Sequence, residues 1–228
     1  MFKNIIILFF LFVFVSSNST AQSNNLARTN QTIGGVVNKY AQVLSIKSNC
    51  GSLELQVDST QGFNSNDLIL IYQVKGGVID TSSSSSFGNL LQQNGAGTYE
   101  LNRVDRIVGS KIYLKYSLTR NFNPTQSLQL VQIPESDYFE LNSNINGLSW
   151  NGKKGGVIAI NAKKKIKLNN FQIVASGIGF RGGKVSSDTF SYSLCGSSLY
   201  YTNAALGLAG QKGESSASLG IQKQWGRG

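Results

Sequence analysis

The sequence predicts an all-β protein: a small duplicated β-barrel or sandwich domain, followed by the start of a parallel β-helix-like, Gly-rich segment. Three observations carry that expectation. Apolar and polar residues alternate in short runs, as in Leu53, Leu55 and Val57 against Glu54, Gln56 and Asp58. No stretch shows a sustained helical period with caps. The chain holds 25 Gly but only 2 Pro, with abundant Ser and Asn, a composition that fits strands joined by tight turns.

The first segment reads as an address. Within residues 1–21, Lys3 gives a short positive region and Ile5 to Val15 an unbroken apolar run. Ser19 and Ala21 supply the small residues of a cleavage site. This is the pattern of a secretory signal peptide cut after Ala21, rather than a core strand or an uncleaved anchor. No second apolar run approaches the roughly 18 residues of a membrane span, so no transmembrane segment is expected in the mature chain. The expected location is secreted or cell-surface. Export places Cys50 and Cys195 where a disulfide is permitted; a bridge and two free buried thiols both remain open.

Residues 22–35 are polar and read as a flexible leader, and residues 36–140 read as the duplicated β domain. Leu68 to Val74 is continuously apolar, as in a strand buried on both faces. Tyr40 to Val74 can be laid over Tyr99 to Ile133. Val43 and Ile46 then match Val104 and Ile107. With a two-residue gap, Leu53 and Leu55 match Ile112 and Leu114, and Phe63 matches Phe122. Leu68, Leu70 and Ile71 match Leu128, Leu130 and Val131. Two such units can close on each other and bury faces that neither could hide alone. Between the copies, Gly76 to Gly97 holds five consecutive serines and reads as a flexible excursion.

Residues 141–228 change character. Ile158 and Ile160, Ile166 and Leu168, then Ile173 and Ala175 give three short strands with two inward residues each. Tight polar turns separate them, as in one coil of a parallel β-helix; an antiparallel meander is the alternative. Asn169, Asn170 and Gly177 supply positive φ where the chain turns. A coil needs stacked neighbours. The weakly periodic remainder offers little to stack, so this segment is expected to be incomplete and the chain to be the amino-terminal piece of a longer protein.

Charge divides the same way. The whole chain carries a net +10, with residues 22–140 neutral and residues 141–228 at +9. Lys163, Lys164, Lys165 and Lys167 cluster at one turn, with Lys153 and Lys154 nearby in sequence. These six lysines are the candidate polyanion contact, with anionic polysaccharide or matrix as the expected partner. The bland alternative is a solvated turn that protects a strand edge. Sequence-specific nucleic-acid binding is not expected, because no aromatic motif accompanies the lysines. With His absent and two Cys, imidazole catalysis and zinc sites are not expected. Gly177-x-Gly179-x-x-Gly182 precedes no amphipathic helix and so is not a dinucleotide fingerprint. No catalytic residue, metal ligand or cofactor site is assigned.

Several stretches resemble the amino-terminal region of large secreted surface proteins of Bacteroidetes-type bacteria. Such proteins carry type IX secretion or gliding-motility-associated domains. The matching stretches are DSTQGFNSNDLILIYQVKG (58–76), AGTYELNRVDRIVGSKIYL (96–114), QLVQIP (129–134), WNGKKGGVIAI (150–160), GIGFRGG (177–183), QKGE (211–214) and WGRG (225–228). Their order along Tyr40 to Gly228 carries the resemblance. It implies surface location and an adhesin-like, non-enzymatic role. The rival expectations are a glycan-cleaving β-helix enzyme fragment and a structural stalk without a ligand. Glycoside hydrolysis usually needs two carboxylates about 5–10 Å apart. Asp188 and Glu214 are the acids of residues 141–228.

Overall fold

The computed structural model describes residues 11–12, 30–49, 52–184 and 210–217. The rest of the signal-peptide region, Cys50, Cys195, Asp188 and the terminal WGRG lie outside the described residues. The strands are β1 (Leu11–Phe12), β2 (Asn30–Val36), β3 (Lys39–Asn49), β4 (Ser52–Val57), β5 (Leu68–Gln73), β6 (Val78–Ile79) and β7 (Leu90–Gln92). They continue as β8 (Tyr99–Val108), β9 (Lys111–Leu114), β10 (Leu128–Ile133), β11 (Glu135–Asn146), β12 (Ile158–Ala159), β13 (Asn161–Lys167) and β14 (Ile173–Val174). Helix among the described residues is the 3-10 turn Pro124–Gln126, capped by the Asn123 side chain. No described helix is long and apolar enough to cross a membrane.

Alternation in the first half produces a closed six-stranded barrel in the order β10-β3-β4-β9-β8-β5, antiparallel throughout. Closure leaves the barrel without the unpaired edges of an open sheet. Inward residues fill it: Val43, Leu55, Ile71, Val104, Ile112 and Leu130 are all fully buried. Exchanging β3, β4 and β5 for β8, β9 and β10 leaves every barrel pairing unchanged. Both hairpins also carry a register shift at corresponding places, between Val43 and Ser45 and between Val104 and Arg106.

The observed registers differ from the sequence matching in two places. Ile46 pairs with Leu55 as Ile107 pairs with Ile112, so Leu55 corresponds to Ile112 and Val57 to Leu114. The β8–β9 hairpin turns tightly at Gly109 (φ 58°), whereas β3 and β4 run on to Asn49 and Ser52. In the third strands, Ile69 and Ile71 face inward with Leu128 and Leu130. Leu70 and Val131 face outward. Leu70 and Leu130 are therefore both buried but on opposite faces. A one-residue slip exchanges the faces of a strand. Here both faces are apolar, so alternation could not set the register.

The outward face of β3, β5 and β10 is apolar because the second half covers it. Tyr40, Leu70, Tyr72 and Val131 pack against Trp150, Val157 and Ala159. Side-chain amides stitch the two together. Gln129 accepts from Gly155 N at 2.8 Å and donates to Gly155 O at 3.1 Å. Asn38 does the same at Ala159, at 3.1 and 2.6 Å. Each amide mimics a peptide group of a neighbouring strand. The Tyr40 hydroxyl donates to Val157 O at 2.6 Å. Burial pushes its pKa up to about 12, although Leu148 N–H pulls the other way.

After Pro134 the pairing turns parallel. β11 lies between β2 on one side and β13 and β14 on the other. Phe139, Leu141 and Ile145 of β11 join Ile158, Ile160 and Ile178 in a separate core. β1 runs parallel beside β12. The domain divisions differ accordingly. Residues 30–35, expected in the flexible leader, form most of β2, and β11 spans the expected boundary at 140/141. The polar β2 segment is ordered by long-range parallel pairing to β11, with Ile33 packed on the shared core. Asn169, Asn170 and Gly177 have the expected positive φ. Ile166 and Ile173 pack inward, but Leu168 is 47% exposed.

Candidate anion-binding surface

Four of the six sequence-selected lysines, Lys163, Lys164, Lys165 and Lys167, lie together on β13. Parallel pairing sets this strand beside the acid-bearing β11. Lys163 lies 3.6 Å from Glu135, Lys164 donates to Asp137 at 3.0 Å, and Lys167 to Glu140 at 2.8 Å. Lys164 also sits over the Tyr138 ring, 5.5 Å from its centroid. Hydrogen bonds from Lys167 and Asn169 hold the Glu140 carboxyl below the usual range. The side chains of Lys163, Lys164 and Lys167 remain about half exposed or more, at 53, 48 and 61%. Exposed pairs of this kind contribute little and yield to competing ions. The charge split read from sequence is therefore softened in space: acids from before residue 141 lie beside the lysines that follow it.

Lys153 and Lys154 occupy a different turn. The Asn151 side chain accepts from both of their backbone N–H groups. Lys154 reaches back to Asp58 at the end of β4, at 2.7 Å. Lys153 is exposed. The turn owes its shape to Gly152 and to Gly155, whose φ is +105° and whose Cβ position lies 2.6 Å from Ser149 O.

A second basic site was not selected from sequence. Lys75, Arg181, Lys184 and Lys212 line a cavity of about 360 Å³ together with Glu214. Three chain segments meet there. The segment just after β5 supplies Lys75, the glycine-rich turn after Ile178 supplies Arg181 and Lys184, and residues 210–217 supply Lys212 and Glu214. Gly76 and Gly77 donate backbone hydrogen bonds to Ser216 O at 3.0 and 3.2 Å. Gly183 lies so close to Gln211 O that no side chain could stand at position 183.

Glu214 is the hub. Arg181 Nε donates to Oε2 at 2.9 Å, and Lys75 Nζ donates to Oε1. Burial opposes ionisation of this carboxyl, but the hydrogen bonds from Arg181 and Lys75 overcome it and hold the pKa at about 2. The buried Trp150 indole N–H acts in the same direction without meeting any acceptor in good hydrogen-bond geometry among the described residues. Such a carboxylate is ionised at neutral pH and carries no proton to donate. Phe180 lies outside the cavity lining, edge-on to Trp150 at 6.0 Å and 5.9 Å from Lys75 Nζ. The motifs GIGFRGG and QKGE mark two sides of this cleft in the sequence. Lys75, 139 residues from Glu214, falls in a third quoted stretch, 58–76, but nothing in its spacing linked it to the other two.

No family model matches the chain, and no curated protein matches it. Among solved structures it is similar to the Gp54 tailspike of Acinetobacter baumannii bacteriophage AP22, in complex with A. baumannii capsular saccharide. That likeness has 11% identity and a TM-score of 0.31, and covers 62% of this chain and 28% of the tailspike. It is also similar to the tailspike protein gp49 from Pseudomonas phage LKA1, at 16% identity and a TM-score of 0.27, covering 54% of this chain and 20% of that one. The chain spans less than a third of either tailspike. At these TM-scores the likeness carries no argument about ligand or reaction.

Proposed function

We propose that this is an exported, non-enzymatic surface protein, adhesin-like, that contacts anionic glycans or matrix through its basic second half. The observation that carries the reading is the row of exposed lysines on β13, whose own side chains are about half open to solvent or more and so within reach of a polyanion. The resemblance to Bacteroidetes-type surface proteins supports the location, as does the signal pattern of residues 1–21. Mass spectrometry of the secreted protein should find Gln22 at the amino terminus; intact Met1 in the cytosol would overturn export. Within the same reading, the barrel is a duplication of the β3–β5 unit, supported by its exchangeable pairings. The parallel β2–β11–β13/β14 stack is the opening of a β-helix.

The test is binding of an acidic polysaccharide by the full chain over a salt series. Electrostatic contact weakens steeply as salt rises. Replacing Lys163, Lys164, Lys165 and Lys167 with Gln should flatten that dependence. Binding that ignores salt, or no binding, leaves the stalk. Release of sugar fragments would make the protein an enzyme instead.

A further inference from the structure

The cleft around Glu214 differs from the β13 lysine row in one respect. Lys75 and Arg181 are committed to Glu214, whereas Lys184 and Lys212 have no carboxylate partner among the described residues. Lys184 is exposed at the rim. Lys212 is half-buried, its ammonium 5.1 Å above the Phe87 ring of the serine-rich excursion. An ammonium that has lost water with no carboxylate beside it among the described residues is held at an electrostatic cost. Burial accordingly lowers its pKa. An anion entering the cavity would supply the missing counter-charge where water is already partly excluded, so its charge-assisted hydrogen bonds would be strong.

The walls define what kind of anion fits. The cavity, about 360 Å³, is at the small end of ligand pockets. Gly182 and Gly213 leave backbone in the lining, and Gly182 has open space at its Cβ position. Phe180, 39% exposed, lies 5.9 Å from Lys75 Nζ but outside this lining. Cations and accessible backbone match an anionic sugar: its charged group and its hydroxyls.

We propose that Lys184 and Lys212 bind the carboxylate or sulfate group of one saccharide residue seated in this cleft. This rests on the polyanion reading above and divides its labour. The cleft makes the specific contact, and the β13 lysines supply long-range attraction.

Calorimetric titration of the full chain tests this with an oligogalacturonate, its methyl ester, a sulfated disaccharide and inorganic sulfate. The acidic oligomer should bind and the ester should not. Lys184→Gln with Lys212→Gln should weaken binding at least about tenfold, the order expected for lost charged hydrogen bonds. Lys212→Arg should retain most of it, and melting curves should show all variants folded. The β13 quadruple Gln variant should change the salt dependence more than the affinity at moderate salt. Preference between the uronate and the sulfated sugar assigns the group. If the cleft pair changes nothing while the β13 variant abolishes binding, the cleft assignment falls and the polyanion reading stands. If inorganic sulfate binds as well as either sugar, the saccharide assignment falls. If no acidic saccharide binds the unmodified chain, both fall.

Discussion

In the barrel, Ile71 and Leu130 are paired to each other across β5 and β10 and are wholly buried. In the parallel stack, β13 is mostly exposed and is held to β11 by backbone pairing and by lysine–carboxylate contacts, with Ile166 packed inward. The barrel spends its alternation on a closed interior. The stack presents one apolar face to the core and leaves charge outside, where it can meet a ligand. Apolar burial is robust to salt and pH, whereas exposed ion pairs are sensitive to both. The rigid part of the molecule and the responsive part are therefore built from different interactions.

The sharpest way to break this comparison is to empty the barrel. Leu130→Ala and Ile71→Ala remove fully buried side chains and should each cost about 2–5 kcal/mol in denaturant unfolding. Ile173→Ala, on half-buried β14, should cost clearly less. Equal losses at all three positions would mean that the stack is as tightly packed as the barrel.

Next in size is the stitching between them. Gln129→Ala leaves the N–H and C=O of buried Gly155 without their amide partner and should cost about 1–3 kcal/mol. Exchange of the Gly155 amide should rise with it, while amides of β4 and β9 keep their protection. Uniform loss of protection would show that the barrel cannot stand without its cover.

A smaller, local effect concerns Glu214. Its folded pKa of about 2 lies below the ordinary 4.5. The stabilisation it provides is therefore complete above about 4.5 and is lost as pH falls toward 2. Residues 210–217 should loosen from the segment at Lys75 to Gly77 over that window, read by faster exchange of the Gly76 and Gly77 amides. A flat response would remove Glu214 as the hub.

The smallest effect is expected for the β13 lysines. Changing Lys163, Lys164 and Lys167 to Gln should leave the melting temperature nearly unchanged at moderate salt, because exposed ion pairs contribute little. A large drop would make the row structural and weaken its candidacy as a contact surface.

The all-β class was legible because alternating short strands bury one face whatever their partners. The turn positions Asn169, Asn170 and Gly177 were legible too, since left-handed backbone has few tolerant residue types. The correspondence of Val43 and Ile46 with Val104 and Ile107 could be read from spacing within one strand. The register of β5 against β10 could not, because both faces of each strand are apolar once Trp150 and Val157 cover the outside. Only the tertiary structure decided which of Leu70 and Ile71 points inward, that residues 30–35 become a strand, and that Glu135, Asp137 and Glu140 stand beside the lysines. It also decided that Lys75 joins Arg181 at Glu214. The physical reason is common to all four. Local pattern determines which way a side chain can face, but a parallel pairing, a covered sheet or an ion pair between residues far apart in sequence has no local energy to reveal it before the chain closes.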